Sequence, residues 1–69
     1  MAAKVVVNGE SASLTAETVV ELLRSAGVDP QARGVAVAVN GTVVPRRDWT
    51  QRALADGDRI EIVRPFAGG

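Results

Sequence analysis

The sequence predicts a small α+β domain in which one helix packs on one face of a mixed five-stranded sheet. Two Asn-Gly pairs, at residues 8–9 and 40–41, lie between apolar runs, and such pairs are the strongest short-range signal for a hairpin. Residues 17–26 have the apolar spacing of one amphipathic helix. Residues 59–63 alternate apolar and charged side chains, as expected of a further strand.

The first hairpin is predicted from the N-terminal apolar run. Val5 to Val7 lead into Asn8-Gly9, and both turn residues tolerate positive φ. Glu10 to Leu14 follow with alternating Ser and Ala. These features predict a strand, a two-residue turn and a second strand.

The helix is predicted over residues 17–26. Its expected N-cap is Thr15, with Glu17 as an acid in the first turn. Gly27 and then Asp29-Pro30 give a strong stop signal. The apolar stripe follows the i, i+3, i+4, i+7 spacing and consists of Val19, Leu22, Leu23 and Ala26.

The second half of the chain contains a second hairpin and the last strand. Val35 to Val39 alternate with Ala, Asn40-Gly41 forms the turn, and Thr42 to Val44 return. A polar connector contains Trp49, which we expect to cover the edge of the core rather than to anchor a partner. The fifth strand then covers Arg59 to Val63.

The order of these elements predicts the β-grasp topology seen in ubiquitin, with the last strand parallel to the first. One helix can cover one face of such a sheet and close a single core. We expect residues 1–63 to form this domain and residues 64–69 to form a flexible tail. The sheet residues expected to meet the helix are Val5, Val7, Val35, Val37, Val39, Ile60 and Ile62.

The composition excludes several classes of chemistry. The 69 residues include no His and no Cys, so zinc ligand sets, thiol nucleophiles and histidine acid-base devices are missing. Eight basic and eight acidic residues balance, and aromatic residues are 3% of the chain, which argues against nucleic-acid binding. No apolar run approaches the length of a membrane span. We therefore expect a soluble, cytoplasmic protein that is a monomer when free, binds no metal or cofactor, and is not an enzyme by itself.

The last six residues are the most informative for function. Arg64-Pro65-Phe66-Ala67-Gly68-Gly69 can span about 20 Å when extended. Two glycines have no Cβ atoms, so they can enter a narrow channel and leave the carboxylate of Gly69 unhindered. A lone Gly-Gly would suggest a frayed end or a tag remnant. After the last strand of a predicted β-grasp domain, it predicts a tail that enters a partner's site.

Several segments along the chain form one recognisable pattern. They are the block Val44-Pro45-Arg46 with its nearby Trp49, the terminal Gly68-Gly69, and residues 5–8, 18–23, 37–41, 54, 56–58 and 60–63. In these segments the chain resembles, nearly end to end, the ThiS family of sulfur carrier proteins in thiamine thiazole biosynthesis. The Gly-Gly end is shared by all such carriers, and the Val-Pro-Arg block with its Trp is more specific to this family.

The resemblance implies a cycle of sulfur transfer at the Gly69 carboxylate. A ThiF-like adenylating enzyme would activate it with MgATP, and sulfur from a donor such as a cysteine desulfurase would convert it to a thiocarboxylate. A ThiG-like thiazole synthase would then take the sulfur. The residues are compatible with this cycle. A carboxylate needs activation before acyl transfer. Because this chain has no Cys and no phosphate-binding loop, the sulfur and the nucleotide site must both come from partners.

Two groups of residues are candidates for binding these partners. On the tail they are Phe66, Ala67 and Gly68, although Phe66 could instead fold back on the domain. On the sheet face opposite the helix, we expect Ala36, Ala38, Val6 and Val63 to form an apolar patch near the tail's exit. Exposed apolar residues of this kind can also be without function. The sheet candidates are Val6, Arg59, Glu61 and Val63.

Other functions remain open from the sequence. The analogous sulfur carrier of molybdopterin synthesis has the same fold and chemistry but a different acceptor. A β-grasp interaction module would not use its carboxylate at all. Arg46 and Arg47 could belong to a docking patch, or they could be solvated loop charges.

Overall fold

The computed structural model describes residues 3–64 and has seven elements. In chain order they are β1 (Ala3–Val7), β2 (Glu10–Leu14), α1 (Val19–Ser25), β3 (Ala36–Val39), β4 (Thr42–Val43), a short 3₁₀ helix (Arg46–Asp48) and β5 (Arg59–Val63). The 3₁₀ helix lies in the segment that the sequence suggested to be an irregular connector.

The five strands form one mixed sheet in the order β2-β1-β5-β3-β4. Strands β1 and β2 pair antiparallel, as do β3 and β4. The last strand, β5, lies in the centre of the sheet, parallel to β1 and antiparallel to β3. The predicted β-grasp topology is therefore confirmed.

Both predicted two-residue turns are present. Asn8 and Gly9 have φ of 49° and 84°, and Asn40 and Gly41 have φ of 53° and 83°. Positive φ at both central residues is typical of the type I′ turn, whose twist matches that of the flanking strands.

The core lies between α1 and one face of the sheet. Its buried residues are Val5, Val19, Leu22, Leu23, Val28, Val35, Val37, Val39, Val44, Trp49 and Ile60. Val7 and Ile62, predicted as core residues, are partly buried and pack against this cluster. Trp49 is only 3% exposed, which confirms its predicted place in the core.

The predicted N-cap at Thr15 is wrong, because α1 begins later. Thr18 is the N-cap, and its Oγ1 accepts a hydrogen bond from the backbone N–H of Glu21. Glu21 accepts in return from the Thr18 hydroxyl and from the Glu17 backbone N–H, in the manner of a capping box. Thr18 is extended and forms an isolated β-bridge with Ala53, so the connector holds this segment out of the helix.

The prediction that Ala26 contributes to the core is also wrong. Ala26 is the C-cap and is exposed. Gly27 N–H donates to the Arg24 carbonyl and Val28 N–H to the Leu23 carbonyl, which together form a Schellman motif. Gly27 has φ of 78°, so the predicted stop signal is correct. Val28, which follows the reversal, is buried in the core.

Candidate docking surface at the base of the tail

Strand β5 ends at Val63, and Arg64 is the last residue described. Val63 pairs with Ala36 of β3, so the chain leaves the sheet from its central strand rather than from an edge. The tail candidates Phe66, Ala67, Gly68 and Gly69 lie outside the described residues.

The four sheet candidates do share one face of the sheet. Val6 is paired with Arg59 across β1 and β5, while Glu61 and Val63 follow on β5 at alternate positions. This face is the one opposite α1, because Val5, Val37 and Ile60 at the intervening positions are buried in the core. Val63 is 60% exposed, Arg59 and Glu61 are exposed, and Val6 is partly buried.

The register adds Val43 to this surface, a residue that the sequence analysis did not select. Val43 is paired with Ala38, which is itself paired with Glu61, so all three side chains point to the face without the helix. Val43 is 68% exposed, and among residues 3–64 it is the more exposed of two large hydrophobic residues at the surface, the other being Val63. The signal was present in the sequence, because a two-residue turn at 40–41 pairs residue 38 with residue 43.

The surface is apolar at its two ends and charged between them. Val63 lies beside the tail's exit and Val43 on the outer strand, with Arg59 and Glu61 on β5. A depression of about 330 Å³ is lined by Asn40, Gly41, Arg59 and Glu61. Arg59 provides a positive charge and Glu61 a negative charge beside small apolar side chains. Such a mixture of charged and apolar groups is common in non-obligate protein interfaces. We call this set of residues (6, 36, 38, 43, 59, 61 and 63) the sheet-face patch.

The asparagines of the two hairpin turns hold the two ends of β5. The Asn8 side chain accepts from the Ile62 backbone N–H at 2.8 Å and donates to the Ile62 carbonyl at 3.2 Å. The Asn40 side chain accepts from the Arg59 backbone N–H at 2.9 Å and donates to Asp58 Oδ1 at 3.0 Å. From the sequence, both asparagines are expected only to form turns.

Arg46 makes contacts within the domain while its side chain remains exposed. Its guanidinium donates to the carbonyl oxygens of Pro30 and Ala32 and lies 4.6 Å from the centre of the Trp49 ring. It thereby ties the loop after α1 to the 3₁₀ helix. Arg47 is exposed.

Within residues 3–64, no helix is long and apolar enough to cross a membrane. No group of three or more carboxylate side chains in that range could hold a metal ion.

The fold and the central exit strand define the class of ubiquitin-like β-grasp proteins. Within that class, the model of the ThiS family matches residues 5–69. The chain therefore belongs to the ThiS family.

Three proteins of known family have sequences similar to this chain. The chain is 42% identical over 53 residues to the sulfur carrier protein ThiS of Escherichia coli, a match covering 77% of each chain. It is 37% identical over 62 residues to the sulfur carrier protein ThiS of Thermus thermophilus, covering 90% of this chain and 94% of the relative. It is 45% identical over 67 residues to a thiazole synthase of Paramagnetospirillum magneticum, covering 96% of this chain but spanning only 20% of that relative.

Solved structures agree with this assignment. The crystal structure of the thiamine biosynthesis protein ThiS from Geobacter metallireducens superimposes with a TM-score of 0.76 at 35% identity, covering 96% of this chain and 99% of that one. A solution structure of a thiamine biosynthesis protein from the same organism gives the same TM-score at 32% identity, covering 96% and 87%.

Proposed function

We propose that this chain is a sulfur carrier in thiamine biosynthesis and that its reactive group is the carboxylate of Gly69. The observation that supports this proposal most directly is the family match, which extends from residue 5 through Gly68-Gly69 on a β-grasp domain. Relatives matched over most of their length are named sulfur carrier proteins.

The proposed chemistry has two steps. An oxygen of the Gly69 carboxylate attacks the α-phosphorus of MgATP bound to an adenylating enzyme, and pyrophosphate leaves. Hydrosulfide then attacks the carbonyl carbon, AMP leaves, and the thiocarboxylate forms directly. If the donor is instead the persulfide made by a cysteine desulfurase, its terminal sulfur attacks, AMP leaves, and a second thiol cleaves the resulting acyl disulfide to the thiocarboxylate and a disulfide. Activation is required because a carboxylate oxygen is a poor leaving group. The chain acts as a carrier rather than as an enzyme, since ATP and Mg²⁺ bind to its partner.

Thiazole synthase is the proposed acceptor of the sulfur. In one relative named thiazole synthase, a segment of that polypeptide is similar to nearly the whole of this chain. This similarity supports a functional connection between the two proteins. Because ATP and a reduced sulfur donor are both required, we place the reaction in the cytoplasm.

The sheet-face patch is the proposed docking surface for these partners. It contains the exposed Val63 at the point where β5 passes into the tail, so a partner that covers the patch also holds the start of residues 64–69. The tail residues Phe66, Ala67 and Gly68 would follow into the partner's channel.

The test is the intact mass of the full chain after incubation with a ThiF-like adenylating enzyme, MgATP and sulfide. We expect the mass increase of one oxygen-to-sulfur exchange, because the thiocarboxylate replaces one carboxylate oxygen by sulfur. A variant lacking Gly69 is the matched control and should show no exchange, because its shorter tail does not bring the terminal carboxylate to the α-phosphorus of ATP. An unchanged mass, with an enzyme that modifies its own carrier in parallel, contradicts the proposal.

A second incubation identifies the acceptor. The thiocarboxylate form should lose its sulfur to thiazole synthase and not to the large subunit of molybdopterin synthase. The opposite result would assign the chain to the molybdopterin pathway.

A further inference from the structure

The end of β5 is held to β1 by a side chain rather than by a backbone. Strands β1 and β5 are paired at Val6 with Arg59 and at Val7 with Ile60, and the Asn8 backbone N–H donates to the Ile60 carbonyl at 2.9 Å. Beyond this point β1 turns away, because Asn8 and Gly9 form the type I′ turn. In a regular parallel ladder, the backbone of β1 would continue and provide an acceptor for the Ile62 N–H and a donor for the Ile62 carbonyl.

The Asn8 side chain supplies both groups. Its Oδ1 accepts from the Ile62 N–H at 2.8 Å, and its Nδ2 donates to the Ile62 carbonyl at 3.2 Å. One amide therefore replaces the two backbone groups that β1 would have contributed. The pairing joins residues 54 positions apart, so it is a long-range contact and not part of the turn itself.

We propose that Asn8 is a positioning residue for the tail: its amide extends the pairing of β1 to Ile62 and fixes the point from which residues 64–69 leave the sheet. Ile62 precedes Val63 of the sheet-face patch, so the same contact orients the docking surface and the exit of the tail. The inference rests on the proposed function, because it assigns Asn8 a part in presenting the Gly69 carboxylate.

The molecule provides its own matched control. Asn40 also lies at the first position of a type I′ Asn-Gly turn, and its Oδ1 also accepts from a β5 backbone N–H, that of Arg59. Arg59 is three residues before Ile62, or about 10 Å away along the strand. Asn8 and Asn40 thus make comparable contacts at the tail end and at the opposite end of β5.

The variants Asn8→Gly and Asn40→Gly remove each side chain without straining the backbone, since glycine adopts positive φ readily. Amide hydrogen exchange, measured by NMR on the labelled full chain, reports the contact directly. We expect Asn8→Gly to speed exchange at Ile62 by about threefold to tenfold and leave Arg59 nearly unchanged, as loss of one or two exposed hydrogen bonds predicts. Asn40→Gly should give the opposite pattern.

Asn8→Asp separates the two bonds. An aspartate retains an acceptor for the Ile62 N–H but has no donor for the Ile62 carbonyl. Exchange at Ile62 should therefore fall between wild type and Asn8→Gly. Exchange at Ile62 that does not change in any Asn8 variant would overturn the proposal.

Steady-state adenylation, followed by pyrophosphate release, tests the role in presentation. We expect Asn8→Gly to raise the KM of the carrier about threefold to tenfold with kcat unchanged. The loosened end of β5 in this variant must become ordered when the complex forms, and the entropy lost in that ordering weakens binding. Asn40→Gly should raise KM by less than Asn8→Gly does, since it loosens the far end of the strand and removes one side chain beside Arg59 of the patch. A general loss of folded protein would affect both variants alike.

The outcomes distinguish the two proposals. If wild type is adenylated and the two glycine variants have equal KM values, Asn8 does not position the tail although the carrier function stands. If wild type releases no pyrophosphate with an enzyme that adenylates its own carrier, the carrier function and the positioning role both fail.

Discussion

Trp49 links three parts of the domain through one residue. Its indole N–H donates to the Val44 carbonyl at 2.9 Å, and its own carbonyl accepts from the backbone N–H of Val20 in the first turn of α1. The Arg46 guanidinium covers its ring. In a domain of this size, where the buried fraction of the surface is small, one large aromatic side chain contributes a considerable share of the core.

We predict that Trp49→Phe lowers the free energy of unfolding by about 2–4 kcal/mol. The phenyl ring is smaller and has no N–H, so the Val44 carbonyl loses its partner in a buried setting. Urea denaturation followed by far-UV circular dichroism measures the change. Val63→Ala, at an exposed position, is the control and should stay within about 0.5 kcal/mol of wild type. Equal stability of the two variants would show that the indole contributes no specific stabilisation.

The stability of helix α1 depends on the segments packed around it. It has seven residues, and isolated helices of that length are unstable in water. The backbone N–H groups of Val19 and Val20 donate to the carbonyls of Arg52 and Trp49, so the connector before β5 satisfies donors that a helix start leaves open. Thr18 and Glu21 complete the N-terminus.

The two candidate N-caps give a direct test. Thr18→Ala should destabilise the domain by about 0.5–2 kcal/mol, because the cap is lost, and Thr18→Ser should restore most of this. Thr15→Ala should change the stability by no more than about 0.5 kcal/mol, since Thr15 is exposed and lies before the helix. Thermal or urea unfolding decides between them. A larger loss for Thr15→Ala would mean that the helix begins earlier.

At the scale of the whole molecule, the two faces of the sheet have different roles. One face is covered by α1 and forms the core, while the other contains the sheet-face patch. The net charge is zero, so long-range steering by net charge gives no preferred partner. If the sheet-face patch is the docking surface proposed above, recognition of a partner depends on local shape, local charge and the few apolar side chains around Val63.

We predict that Val63→Asp weakens binding of the full chain to the adenylating enzyme about tenfold or more, because it places a charge in the apolar part of the proposed interface. Ser13→Asp is the matched control, as Ser13 is exposed on the same face but on β2, at the outer edge of the sheet. It should alter the dissociation constant less than about twofold. Titration calorimetry measures both. Equal weakening would indicate a general charge effect, and no weakening would exclude this face as the docking surface.

Elements with local signals could be predicted from the sequence alone. The two Asn-Gly turns, the Gly27 stop and the alternation in β5 all depend on neighbouring residues. Their order predicted the β-grasp topology, and strand alternation predicted every residue of the sheet-face patch except Val43. The N-cap of α1 at Thr18, the exposure of Ala26 and the pairing of Asn8 with Ile62 are evident only in the folded domain. Val43 differs, because the turn at residues 40–41 already pairs residue 38 with residue 43. The physical reason is that local chain preferences act between near neighbours. Most of these other outcomes depend on hydrogen bonds and registers between distant segments, which exist only after the sheet has formed.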